Sequence, residues 1–454
     1  MKIIFKIGFS LILLIPSLIF SQTGKIVQIS KTEDINPAET SIAINPKNPE
    51  NIVAAFLSYD NKLPGYIDNT YSSFDGGLTW KEVRTDNPEK RIQGDDAVAF
   101  GNDNIVFHSY LSFYGLENEN LKHPSSGIFI SSSKDGGITF PERAVLVDHI
   151  NTSAPMEDKP YVAADNSDSS KFRNNVYIAW THFQQYGSRS SSDSSQIYFS
   201  RSIDSGKTFS PAIRISTTGG DCRDSSNTVE GAITSIGPHG EVYVVWAGPK
   251  GLVFTESLDG GKSFSTEKVI GYIYHGWDSD ISGIDRANGM PVSKTDISNG
   301  KYRGSIYVNW ADDRFGDNDI FLKYSRDGGK TWSNDIRVND DKMNNGKQQF
   351  FSWMAVDPID GSVNIVFYDR KNTDGNMTAV TLARSIDGGN SFINFNLNIP
   401  AFDCNKNIFF GDYTGIDAYN GFVIPIFMHF VESKKLAVSA ALIHFEAGTL
   451  NELK

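Results

Sequence analysis

Cysteine is nearly absent, with only Cys222 and Cys404 in 454 residues, so no disulfide framework holds this chain together. Proline is also sparse, 17 in all, which excludes a collagen-like or proline-rich chain. Basic residues do not cluster: 42 Lys and Arg stand against 54 Asp and Glu, a net charge of −12, and the short run Lys90-Arg91 sits beside Glu89. A phosphate-tracking surface needs Lys and Arg gathered on one face, so a nucleic-acid partner is excluded. No His or Cys spacing predicts a zinc site. After the first residues, no segment approaches the roughly 20 apolar residues of a membrane span. The start itself, Lys2 and Lys6 followed by an apolar run from Ile7 to Phe20, reads as a secretory signal peptide over residues 1–21. Cleavage near Ser21-Gln22 leaves residues 22–454 as a single secreted or periplasmic domain.

What is abundant is aromatic and turn-forming. Thirty Phe, 18 Tyr and 40 Gly, with many Ser, Asn and Asp, predict numerous short strands joined by turns. One pattern recurs six times, Ser-x-Asp-x-Gly-x-Thr/Ser-Trp/Phe. Its copies begin at Ser73, Ser133, Ser202, Ser257, Ser325 and Ser385, as in Ser73-Phe74-Asp75-Gly76-Gly77-Leu78-Thr79-Trp80. In such a turn Asp and Ser bind nearby backbone amides, Gly supplies positive φ, and the aromatic packs between neighbouring sheets. The motif is therefore structural, and its use is to count the fold.

This repeat resembles the Asp-box, or BNR, repeat of sialidases and related β-propellers. The resemblance implies an all-β propeller in which each box joins the third and fourth strands of a blade. Boxes lie about 62 residues apart on average, which leaves room for roughly seven four-stranded units. The seventh, boxless unit falls in residues 401–450, and the N-terminal segment Lys25-Ile26-Val27-Gln28-Ile29 supplies its missing strand and closes the ring. The alternative is six blades with an appended C-terminal hairpin.

Alternating strand direction puts the boxes on one face and the loops after strands two and four on the other, where function is expected. Loops entering the first strands there carry Glu39, Asp95, Asp96, Glu157, Asp158, Glu230 and Asp412, a set of carboxylates converging on the central mouth. Resemblance to sialidases implies three arginines holding a substrate carboxylate, a Tyr nucleophile with a Glu partner, and an Asp acid/base. Arg91, Asp96, Glu230, Arg314, Arg370 and Tyr413 follow that chain order, although the Phe/Tyr-Arg-Ile-Pro signature is absent and Lys90-Arg91-Ile92-Gln93 is the nearest run. The implied activity is sialidase-like hydrolysis of an anionic glycan, with a glycan or polysaccharide as partner and no cofactor.

Two other readings stand beside it. A polysaccharide lyase uses His and Tyr as base and acid on a uronate, and His182, His429 and Tyr413 are available for that work. A propeller that binds glycan or protein without catalysis is the third, because function lives in sites grafted on folds. The acidic run Asp312 to Asp319 has the oxygen-rich character of a structural calcium site, with Arg314 in its midst. Cys222 and Cys404 fall in units that are not neighbours, which favours two free thiols.

Overall fold

Strand follows strand in antiparallel hairpins from Lys25 to His444, and the hairpins group into seven sheets of four or five strands. The computed structural model describes residues 24–445 except 60–64, 85, 86, 88, 115–123, 153, 276 and 433. The segment read from the sequence as a signal peptide, 1–21, lies outside the described residues. The sheets are the seven blades of a β-propeller. Blade I runs Ile35–Ile44, Ile52–Tyr59, Tyr66–Ser73 and Lys81–Arg84 from the axis outward. Inner strands of blades II to VI are Ile92–Phe100, Met156–Ala164, Glu230–Ile236, Val292–Thr295 and Gln349–Val356. Blade VII consists of Gly415–Tyr419, Phe422–Glu432 and Lys435–His444, with Lys25–Gln28 paired to the last of these as its outer strand. The ring is thus seven blades closed by the N-terminus, and the six-bladed alternative does not hold. Among the described residues no helix is long and apolar enough to cross a membrane.

Second strands such as Val176-Tyr177-Ile178-Ala179-Trp180 are buried on both sides, because each blade is covered by its two neighbours. That double burial explains why they read as continuous apolar runs rather than as alternating ones. Trp180, Trp246 and Trp310 recur at the same place in three blades and are among the largest fully buried side chains.

Each box is closed by the same bonds. In the first, Ser73 Oγ donates to Asp75 Oδ1 and accepts the Gly77 amide, while the amide and hydroxyl of Thr79 donate to the two Asp75 oxygens at 2.9 and 2.6 Å. Burial opposes it, but such donors acting together lower the Asp204 and Asp259 carboxyls to about 2. The second glycine of the box seats against the preceding blade. A Cβ on Gly206, at φ +81°, would lie 2.3 Å from the Phe107 ring, and one on Gly261 would lie 2.8 Å from Phe199. Boxes therefore lock blade to blade on one face and leave the other to carry chemistry.

A central channel of about 550 Å³ follows the axis, walled by the later halves of the inner strands and flanked by Lys294 and Asp417. Tyr161, Trp353 and Tyr413 meet across the axis with ring centroids 5.4 to 5.5 Å apart and separate this channel from the mouth on the face opposite the boxes.

Candidate functional site

The inner strands do not enter the ring smoothly. In blades I, II, III, IV and VI the ladder to the second strand slips at the same level, between Ala38/Ser41, Gly94/Ala97, Asp158/Tyr161, Glu230/Ile233 and Phe350/Trp353. The first residue inside each slip has positive φ: Glu39 at 57°, Asp95 at 56°, Lys159 at 50°, Gly231 at 71° and Phe351 at 48°. A bulge re-aims side chains, and left-handed backbone at non-glycine residues is strain that the surrounding structure must hold in place. Here it brings polar side chains from several blades to one point above the aromatic floor.

Lys159 is the hub. Its Nζ lies 3.0 Å from Asp158 Oδ2, 3.1 Å from Glu230 Oε1 and 3.2 Å from Asp412 Oδ2, and its own amide donates to Asp95 Oδ2 at 3.1 Å. Lys159, Asp158, Glu230, Asp412, Asp95 and Glu39 are all buried. A short insertion between blades IV and V, built on the two-stranded pair Asp278–Ser279 and Ala287–Asn288, roofs them. From it Arg286 Nη2 donates to Asp412 Oδ2 at 2.6 Å, Asn288 Nδ2 donates to the Asp412 carbonyl at 2.9 Å, and Trp277 lies 5.6 Å from Lys159 Nζ. Arg286 also reaches Asp224 at 3.7 Å and lies 5.2 Å from the Phe409 ring.

Burial and charge divide these acids into two kinds. Burial, reinforced by the Asp412 charge, raises Glu39 to about 7. Burial likewise puts Glu230 and Asp95 well above the usual carboxylate range, with the Asp158 charge adding to Asp95. Asp412 is the opposite case: although burial opposes it, Arg286 and Lys159 hold its carboxyl below the ordinary value. Lys159 keeps its proton despite burial because Asp158, Asp412 and Glu230 surround it. Protonated and ionised carboxyls thus share one mouth, the arrangement acid–base chemistry needs.

Comparison with known proteins bears on the frame that carries this site. A family model described as BNR/Asp-box repeat matches residues 323–334, the fifth box with its flanking residues. The chain is an Asp-box β-propeller. Among solved structures, this propeller is similar to a protein of unknown function from Dyadobacter fermentans, with 16% identity, TM-score 0.52, and coverage of 80% of this chain and 98% of that one. It is similar also to the endosialidase of phage phi92, with 12% identity, TM-score 0.52, and coverage of 93% and 69%. At such identities the likeness is one of fold. No curated protein matches the sequence.

Of the residues the sequence singled out, the propeller gathers Glu39, Asp95, Asp158, Glu230 and Asp412 at the mouth and puts Tyr413 in its floor. Burial pushes the Tyr413 hydroxyl well above its ordinary value, which opposes use as a phenolate nucleophile. Asp96 faces away from the hub, into a fully buried group with Asp68 and His108 between blades I and II. Burial raises both of its carboxyls and lowers His108 to about 4.

The three arginines are not brought together. Arg91, in blade II, pairs with Asp148 at 2.7 Å. Arg314, in blade V, is bound by Asp312 and Asp335, each at 2.5 Å, and is stacked on Phe321. Arg370, in blade VI, donates to Thr378 Oγ1 at 3.0 Å, and burial lowers its pKa. A three-arginine clamp for a carboxylate is therefore corrected to three ties within blades. His182 and His429 are separated as well: His182 bonds Glu157 in blade III, whereas His429 meets Ser439 in blade VII and burial lowers it to about 4.

The acidic run in blade V is occupied by protein partners. Asp312 takes Arg314 and Trp310, Asp317 takes the amides of Asn344, Gly346 and Lys347, and Asp319 takes Arg337 and Asn339. Cys222 and Cys404 are free and buried. Sequence reasoning missed Lys159 and Arg286. Lys159 carried a usable signal, since Asp158-Lys159 stands where Gly94-Asp95 stands one blade earlier. Arg286 lies in an insertion that no repeat anticipates.

Proposed function

We propose that this propeller is a glycoside hydrolase whose acid and base are carboxyls of the central mouth. The observation that carries this reading is the split between Glu39, protonated up to about 7, and Asp412, held ionised by Arg286 and Lys159. Glycosidic cleavage needs one carboxyl that donates a proton to the leaving oxygen and a second that is charged in the same site. Glu39 takes the first role and Asp412 the second, while Lys159 fixes the geometry and the Tyr161, Trp353 and Tyr413 rings floor the cleft. The phi92 endosialidase shares the fold, but the reading rests on the carboxyls rather than on that likeness.

A neutral sugar chain fits this mouth better than an anionic one. Its two cations, Lys159 and Arg286, are already paired with the mouth's own carboxyls, and the remaining acids around them give an incoming carboxylate no opposite charge to bind. The action is extracellular or periplasmic, in keeping with the signal-type N-terminus.

The test is incubation of the mature protein with neutral, sialylated and uronate-containing glycans, following reducing ends, free sialic acid and the ultraviolet absorbance of unsaturated uronates. Reducing ends from a neutral glycan, lost by about 100-fold or more in Glu39→Gln and Asp412→Asn, support the proposal. Sialic acid release returns the sialidase reading, new ultraviolet absorbance means elimination, and silence on every channel leaves a binding propeller.

A further inference from the structure

Beside the mouth, on the same face, two of the chain's eight histidines converge on one oxygen. His149 Nε2 lies 2.7 Å and His182 Nδ1 2.8 Å from Glu157 Oε1. These three atoms lie within 4.8 Å of one another. They come from three strands of two blades: His149 from Glu142–Ile150 at the rim of blade II, Glu157 from the inner strand of blade III, and His182 from the second strand, Val176–Phe183. Glu157 and His182 are ladder partners, and Ser126, the ladder partner of His149, accepts the Glu157 amide at 3.0 Å. The three positions are thus fixed by sheet register and by one bond across the blade boundary.

The carboxylate is also oriented from behind. Trp180 Nε1 donates to Glu157 Oε2 at 2.6 Å, which turns the other oxygen toward the imidazoles. His182 packs against the Tyr198 ring at 4.6 Å. Outer partners of this kind are what hold metal ligands in place. Glu157 is almost wholly buried at 3% exposure, yet His149 and His182 remain 26% and 14% exposed, so an ion can enter from the open face.

We infer that His149, Glu157 and His182 form a binding site for a divalent transition metal, zinc above all, with a fourth position open to solvent. Two imidazole nitrogens and one carboxylate oxygen are a donor set for zinc with an open site. Tetrahedral ligands at zinc distances are about 3.3 Å apart, so the present 2.7 and 2.8 Å separations need to widen by only about half an ångström. Sequence spacing hides the site, because the ligands are close only once blades II and III are stacked. The inference is independent of the hydrolase reading.

Calorimetric titration of the chelator-treated mature protein with zinc chloride tests it. One equivalent should bind with a Kd of about 1 µM or tighter, and His149→Ala and His182→Ala should each weaken it by about 100-fold or more. His275→Ala, at an exposed histidine beside Asp313, should leave it unchanged. Should a ligand variant lose its fold by circular dichroism, X-ray absorption of the zinc-loaded wild-type protein decides. Two imidazole nitrogens in the zinc shell uphold the site. A shell without them, no zinc uptake, or affinity unchanged in both variants overturns it.

Discussion

Glu39 shows how a single position couples backbone, burial and charge. Its φ of 57° aims a carboxyl into a buried mouth, where burial and then the Asp412 charge raise it to about 7 from an ordinary 4.5. Between those values the folded protein keeps a proton that the unfolded chain has lost. Stability contributed by this proton is complete below about 4.5 and disappears as pH rises through about 7. The shift corresponds to about 3 kcal/mol. Glu39→Gln has no such proton, so the stability of the wild type relative to this variant should fall by about that amount over the window and stay level above it. Urea unfolding at a series of pH values measures the difference, and parallel curves for the two proteins would falsify the assignment. Lys159 and Asp412 show the converse, two charges kept in a buried place because each meets the other.

At the scale of the element, the box and the inner-strand bulge divide the work between the two faces. The box can be tested with two glycines that share a backbone requirement but differ in surroundings. Gly206 has φ +81° and the Phe107 ring 2.3 Å from any added Cβ, whereas Gly76 has φ +69° and nothing within 4 Å. Phe107 is buried and cannot swing away. Gly76→Ala should therefore cost only backbone strain, about 1 kcal/mol, and Gly206→Ala about 3 kcal/mol or more. Chemical denaturation of both variants reads the difference, and equal losses would mean that the box does not lock the blades. This regularity is also why the fold was legible. Ser73, Asp75, Gly77 and Trp80 recur at fixed spacing because each blade needs the same turn against the same neighbour. The bulges were legible only as positions: Glu39, Asp95 and Lys159 stand at one level of three strands, but their chemistry differs and no repeated letter marks them. His149, Glu157 and His182 were legible least, because their meeting depends on how two blades stack.

Over the whole molecule, the ring works because no blade has a free side. The last blade lacks an outer strand of its own, and Lys25–Gln28 supplies it by pairing with Ser439 through Leu442. The closure continues past the strand: the Ile29 amide donates to the Val438 carbonyl at 2.9 Å, Ser30 Oγ accepts the Val438 amide at 2.9 Å, and Ile29 is buried in the largest core cluster. Removing residues 24–30 exposes the backbone of Lys435–His444 as an open edge and removes those bonds together. Because blade VII presents Asp412 to the mouth and packs against blade I, which presents Glu39, loosening this one seam should disturb the site across the ring. The truncated protein should melt about 5 °C lower or more, associate by light scattering, and lose activity before it loses secondary structure. A synthetic peptide of residues 24–31 added in trans should restore the melting temperature by occupying the vacated edge. A truncated protein that melts as the intact one does would mean that the other blade contacts alone hold the ring shut.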